Sequence, residues 1–207
     1  MPRPANTNFS VGNVSSNTFS PDKIDLNSAK SNPERAEVLR KSSALTVLGI
    51  DPGTGIVGFG VISYIKGNPK LLDGGVIRTP AHQADELRLL TIYNSISEII
   101  AQHNPDVMAV EKLFFARNVT TAMSVSQARG VILLAATIKG VPIAEYTPLQ
   151  IKQALTGYGR ADKNQIQEMV KIMLRLTQIP KPDDCADALA AALTHVQTLH
   201  IPPKVLQ

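Results

Sequence analysis

The chain has 207 residues, 43% of them hydrophobic, enough for one well-buried core with an appendage beside it. A single cysteine, Cys185, excludes an intramolecular disulfide, and no apolar run approaches the roughly 20 residues of a membrane helix, so a soluble protein of the reducing cytoplasm, with no membrane partner, is expected. The formal net charge of +4 does not by itself announce a nucleic-acid partner: six Lys/Arg against four Asp/Glu fall in Met1–Ala44, leaving fifteen against thirteen for the rest.

Residues 1–44 are rich in Ser, Asn and Pro and lack a sustained apolar period, which predicts a disordered extension. Met1–Ser20 has no apolar secretory segment, its one arginine is too few for a transit peptide, and Glu34–Lys41 has the pattern of a helical turn. At Leu45 the texture changes. Leu45–Ile50, Ile56–Ile65 and Leu71–Ile77 read as three strands joined by Gly-containing turns, a meander. Leu89, Ile92, Tyr93, Ile96, Ile99 and Ile100 then recur at helical spacing, and Asn104-Pro105 stops that helix before the strand Val107–Val110. A second helix is predicted over Thr120–Lys139, where Ala122, Ser126 and Gly130 form a small-residue ridge, and Ile143–Tyr146 reads as a fifth strand. There follow a helix over Pro148–Thr156, a loop Gly157–Lys163, an amphipathic helix with Ile166, Met169, Met173 and Leu176 inward, and a last helix from Asp183 to Leu199. The folded unit is therefore 45–200, ordered βββαβαβ and then helical, with a short tail at 201–207.

The chemistry is written in acids. Asp184 and Asp187 lie three residues apart and share one face of the last helix, with Ala188 and Ala191 along the same stripe and Leu189, Leu193 and Val196 opposite. A helix apolar nearly all round is a buried one, and a carboxylate on a buried face carries a large desolvation cost unless a cation compensates it. No Lys or Arg lies within this helix. Asp183 is assigned to capping the helix, whereas Asp187, one turn in, is better explained by a metal or another partner. Asp51 ends the first strand before Pro52-Gly53-Thr54-Gly55, and Glu111 ends the fourth; taken singly, each is accounted for equally well as a turn or solvated residue. Taken together, Asp51, Glu111, Asp184 and Asp187 form a set of oxygen donors without thiolate or clustered imidazole, which favours Mg²⁺ or Mn²⁺ over zinc. Two such ions about 4 Å apart clamp a scissile phosphate, so phosphodiester hydrolysis is the natural reaction.

Four motifs in order, Leu48-Gly49-Ile50-Asp51-Pro52-Gly53, Val110-Glu111-Lys112-Leu113-Phe114-Phe115, Gln127-Ala128-Arg129-Gly130 and Asp184-Cys185-Ala186-Asp187-Ala188-Leu189-Ala190, resemble the bacterial crossover junction endodeoxyribonuclease (RuvC) family from Leu45 to His200. The resemblance implies an α/β, RNase H-like (retroviral-integrase-like) fold: a mixed five-stranded sheet with flanking helices. It implies a homodimer that nicks four-way Holliday junction DNA symmetrically, with two Mg²⁺ per subunit for which Mn²⁺ can substitute, beside the branch-migration proteins RuvA and RuvB. It also carries catalytic and metal-binding roles onto Asp51, Glu111, Asp184 and Asp187.

Of the aromatics after Glu111, one is expected in the core and the other, by resemblance Phe114, stacked on an unpaired base, a contact of about 1–3 kcal/mol. Lys112, Arg117, Lys152, Arg160 and Lys163 are candidate phosphate contacts against the alternative of ordinary solvated charge, while Asp162 with Gln165 reads as a capping pair. The ridge Ala122–Ser126–Gly130 serves equally well as a dimer face or as packing on the chain's own sheet. His82, His103, His195 and His200 lack mutual metal-ligand spacing and read as structural or surface residues, with His195 the one near the proposed site. The Gly49-Ile50-Asp51 turn also matches, weakly, the first phosphate loop of actin-like and sugar-kinase ATPases, but 45–200 has room for only one domain. A non-catalytic DNA-binding relative and a nuclease acting on RNA–DNA hybrids are the remaining alternatives.

Overall fold

A computed structural model of the chain describes residues 44–112 and 119–199; Phe114, Phe115, Arg117, His200 and the N-terminal segment with its expected turn at Glu34–Lys41 lie outside the described residues. The elements run β1 (Ala44–Asp51), β2 (Ile56–Ile65), β3 (Asn68–Arg78), α1 (Asp85–His103), β4 (Val107–Glu111), α2 (Val119–Ile138), β5 (Ile143–Tyr146), α3 (Pro148–Thr156), α4 (Lys163–Met173) and α5 (Asp183–Thr198). They form a mixed sheet in the order β3-β2-β1-β4-β5, antiparallel through β3, β2 and β1 and parallel from β1 to β4 and β5.

Two boundaries depart from the sequence reading for identifiable reasons. β3 begins at Asn68 rather than Leu71: Lys66 and Gly67, both at positive φ, close a two-residue hairpin, and Pro69 is tolerated because β3 is an edge strand. α4 ends at Met173, with Leu174 as its C-cap and Arg175 at φ 54°, so Leu176 lies beyond the helix although it still packs on the core with Met169 and Met173.

Strand parity decides which side chains meet which helices. Along β1, Leu48 and Ile50 point into a core shared with Ile92, Ile96 and Ile100 of α1 and Ala128, Ile132, Ala135 and Ala136 of α2. Val47 points the other way, toward Leu189 and Leu193 of α5 and Ile151, Leu155, Ile166 and Val170 of α3 and α4. Along β4, Met108 and Val110 join the first core while Val107 and Ala109 join the second. With a side-chain period of two, Asp51 and Glu111 therefore both fall on the α5 face, at the ends of adjacent parallel strands paired Ile50 to Val110.

α5 lies directly on β1 and β2 because those strands offer it glycine. A β-carbon at Gly49 would fall on the Ala188 carbonyl oxygen and within 2.8 Å of the Ala192 nitrogen, and one at Gly58 would fall on the Asp184 carbonyl. At Gly60 it would strike the Leu189 side chain. Helix backbone thus rests on strand backbone, with no side chain of β1 or β2 between them at these points.

Gly49→Ala tests this seating. The obstruction is main chain, which cannot rotate away, so the expected loss is about 1–3 kcal/mol or more, read as a lowered midpoint in urea unfolding; an unchanged midpoint contradicts the packing described.

Candidate active site

α5 begins where β1 and β4 end. Its apolar residues, from Cys185 and Ala186 through Leu193 to Val196, are buried, so the helix cannot roll, and this fixes Asp184 and Asp187 in its first two turns above the strand ends. Asp183 does not cap the helix as the sequence suggested: Pro182 holds the N-cap position and Asp183 is the first helical residue, its carboxylate instead taking Lys181 at 2.9 Å. A hydrogen bond from Lys181 is the main reason Asp183 titrates below the ordinary range, with Lys163 and Gln167 adding to it.

The four acids share one electrostatic field. Asp51 has its carboxyl pushed from 3.8 up to about 7, first by burial and then by the charges of Asp187, Glu111 and Asp184, with Lys163 pulling the other way. Glu111 is raised by burial and by Asp187, against Lys152 and Lys163. Asp187 is raised by burial and held down chiefly by a hydrogen bond from Lys163. The three other carboxylates singled out in the sequence thus lie within electrostatic range of Asp51.

Among the described residues, no three His, Cys, Asp or Glu side chains are gathered closely enough to form a preassembled ligand group. The donor set itself fits a hard divalent cation: it is carboxylate oxygen throughout, and the neighbouring thiol of Cys185 is buried and pushed up to about 11, which keeps it a neutral thiol.

Of the candidate phosphate contacts, Lys163 is the one most altered by the structure. Its Nζ lies 3.0 Å from Asp187 Oδ2 and 3.5 Å from Asp183 Oδ2, so it belongs to the acid cluster itself. It is the first residue of α4, fixed by a reciprocal capping box in which Asp162 accepts from the Gln165 backbone and Gln165 accepts from the Asp162 backbone, as the capping reading anticipated. Lys152 on α3 is near enough to lower the Glu111 carboxyl. Lys112 is exposed next to Glu111, its backbone N–H donating to the Tyr146 carbonyl, and Arg160 is exposed in the loop before α4.

Sequence reasoning missed three supports. Arg129 of α2 forms an ion pair with Glu145 of β5. Tyr146, the next residue, turns to the opposite face, where its hydroxyl meets His195 Nδ1 at 2.7 Å and Thr198 Oγ1 at 3.3 Å. Burial holds His195 below its ordinary pKa, so it serves as a neutral hydrogen-bonding partner of the tyrosine. The third is the glycine seat of α5, for which the sequence offered only unexplained glycines within strand patterns.

A sequence model of crossover junction endodeoxyribonuclease RuvC matches residues 47–195. The chain belongs to the RuvC family. RuvC of Alkaliphilus oremlandii is 54% identical over 154 residues, covering 74% of this chain and 94% of that one. A Thermus thermophilus RuvC structure superposes with a TM-score of 0.71 at 39% identity, over 75% of this chain and 95% of that one. T. thermophilus RuvC in complex with a Holliday junction substrate gives a TM-score of 0.72, also at 39% identity, over 75% and 94%. The mixed five-stranded sheet with helices on both faces is the RNase H-like α/β arrangement expected of RuvC.

The raised Asp51 carboxyl yields a signed pH dependence. Between 3.8 and about 7 the folded state binds more protons than the unfolded chain, so stability falls as pH rises through that window. Asp51→Asn removes the charge that causes the fall. In the presence of a chelator the variant is expected to melt a few degrees above wild type at pH 8, with the gain gone near pH 4; a pH-independent difference excludes the titration.

Proposed function

We propose that this protein is a Mg²⁺-dependent endonuclease that resolves four-way Holliday junctions by symmetric nicking, acting as a homodimer in recombination and repair. The observation that carries the reading is the convergence of Asp51, Glu111, Asp184 and Asp187, from three elements, into one field beneath the first turns of α5. Membership of the RuvC family, and the Holliday junction bound by the T. thermophilus relative, support the choice of substrate.

In this reading the four carboxylates would hold two Mg²⁺ per subunit, with Mn²⁺ as a substitute, and the ions would supply a nucleophilic water and offset charge on the phosphate and leaving oxygen. The protein's own part is placement. β1 and β4 present Asp51 and Glu111 side by side, and the buried α5 prevents Asp184 and Asp187 from swinging away. Lys152, Lys163, Lys112 and Arg160 offset the acids and draw in phosphates without reading bases. Arg117 and Phe114, outside the described residues, are assigned a phosphate contact and stacking on an unpaired base.

Two equivalent strands must be cut, and a two-fold dimer presents two identical sites to them. The exposed face of α2 supports the dimer. Met123, Leu134 and Ile138 are exposed there at 66%, 52% and 59%, in line with the half-buried Ala122 and Ser126 and with Gly130, whose open side admits close approach. The small-residue ridge is thus assigned to the partner subunit, while Ala128, Ile132 and Ala136 pack on the sheet. RuvA and RuvB are the proposed working partners. Among the described residues no helix is long and apolar enough to cross a membrane, and the cytoplasm is the proposed location. Residues 45–200 are assigned to the nuclease domain, with 1–44 and 201–207 as appendages.

Asp187→Asn separates chemistry from binding. The variant is expected to bind a synthetic four-way junction as wild type does while nicking falls by at least about 10³-fold, the scale of losing a principal charge-stabilising group; equal cutting by both proteins refutes the assignment. Leu134→Glu places a charge in the α2 face and is expected to shift sedimentation from dimer to monomer and to replace paired incisions with single ones. A variant that stays dimeric removes α2 from the interface.

A further inference from the structure

Asp183 is outside the four-acid set, yet it is bound to it through one side chain. Lys163 Nζ reaches Asp187 Oδ2 at 3.0 Å and Asp183 Oδ2 at 3.5 Å, bridging two acids one helical turn apart on α5. Lys181 occupies the other oxygen of Asp183, at 2.9 Å from Oδ1, which orients that carboxylate with Oδ2 facing Lys163. A lysine in the first turn of a helix sits against the positive end of the dipole, so α4 itself gives Lys163 no reason to stay. The acids of α5 hold it.

The two contacts are unequal. The Asp187 side chain is 27% exposed and that of Asp183 is 46%, and an ion pair strengthens as water leaves it. Lys163 therefore favours Asp187, the acid whose oxygens a divalent cation needs. Two cations cannot share Asp187 Oδ2 without cost, and a lysine with no other partner resists displacement.

The geometry points to Asp183 as a positioning residue that receives the Lys163 ammonium when a divalent cation takes Asp187, keeping the lysine at the rim of the site while freeing the metal ligand. This inference rests on the reading of the four carboxylates as a cation site. It explains why two adjacent acids, Asp183 and Asp184, open α5 although neither caps it: Asp184 belongs to the site, and Asp183 is the lysine's second seat.

The test is a double-mutant cycle on direct binding of Mn²⁺, with the free ion followed by electron paramagnetic resonance and no DNA present. Asp183→Asn leaves Lys163 only Asp187, so Mn²⁺ binding is expected to weaken about two- to fivefold, the scale of a partly exposed ion pair. Lys163→Met removes the competitor and is expected to tighten binding. In the Lys163→Met background Asp183→Asn is expected to have almost no further effect, because its influence runs through the lysine. A simple loss of one negative charge near the site would instead weaken binding equally in both backgrounds, and that result overturns the inference, as does an unchanged affinity in Asp183→Asn alone. Circular dichroism and melting of each variant establish that it is folded before titration. If wild type binds no Mn²⁺, the metal-site reading falls and this inference falls with it; if wild type binds and the cycle shows no coupling, only the role of Asp183 is lost.

Discussion

Four carboxylates are held within reach of one another by a helix that cannot retreat, and the rest of the structure is arranged around that repulsion. Moving the Asp51 carboxyl from 3.8 to about 7 corresponds to a cost on the order of 4 kcal/mol above neutrality. A domain of this size is stable by only about 5–15 kcal/mol in total. What holds α5 down is apolar: Leu189, Leu193 and Val196 are fully buried, at about 1.5–3 kcal/mol each, and their contribution is added to that of the helix backbone seated on the strands, Ala188 and Ala192 on Gly49 and Asp184 on Gly58. The helix is therefore stable enough to keep acids where they would not go unaided. That surplus is what makes the site electrostatically hungry for cations.

The acids were legible in the sequence because Asp51 and Glu111 each end an apolar strand and the three-residue step of the last helix places Asp184 and Asp187 on one face. That Asp51 and Glu111 turn away from the Leu48/Ile50 and Met108/Val110 sides, toward α5, emerges from the packing of the strands. What the sequence concealed were relations between elements that no local period encodes. Lys163 read as one more phosphate contact, since nothing along α4 says that its ammonium ends 3.0 Å from Asp187. Asp183 read as a cap, since Asp before an apolar helix usually is one; Pro182 took that position instead. Glycine within a strand carries no local explanation in the sequence, and only the helix laid across Gly49 and Gly58 explains the missing side chains.

The same limit applied to β5, a four-residue edge strand with little to fix it by itself. Its last two residues are gripped from opposite faces, Glu145 by Arg129 of α2 and Tyr146 by His195 and Thr198 of α5. Tyr146 pairs across the strands with Glu111, and its carbonyl accepts the Lys112 N–H. The strand end that carries a site acid is therefore braced by both the helix whose outer face is apolar and the helix that supplies the other two acids. A displacement of α2 or α5 would be felt at Glu111 through a single strand.

A site built of acids must still accept a polyanion, and the charge arrangement around it resolves that conflict by distance. Lys163 touches Asp187, and the charge of Lys152 reaches Glu111, so each lysine offsets an acid already in the site while leaving ammonium protons for a phosphate. In the proposed function the acids outnumber these two lysines while no ion is bound and would repel DNA from the reaction centre, and each divalent ion would offset two of those charges at once. In that reading the lysines alone would attract a backbone, and the cations would make the centre itself attractive to the scissile phosphate. The same lysines that offset Asp187 and Glu111 would thus meet the junction backbone first, and engagement of the scissile phosphate at the acids would follow cation binding.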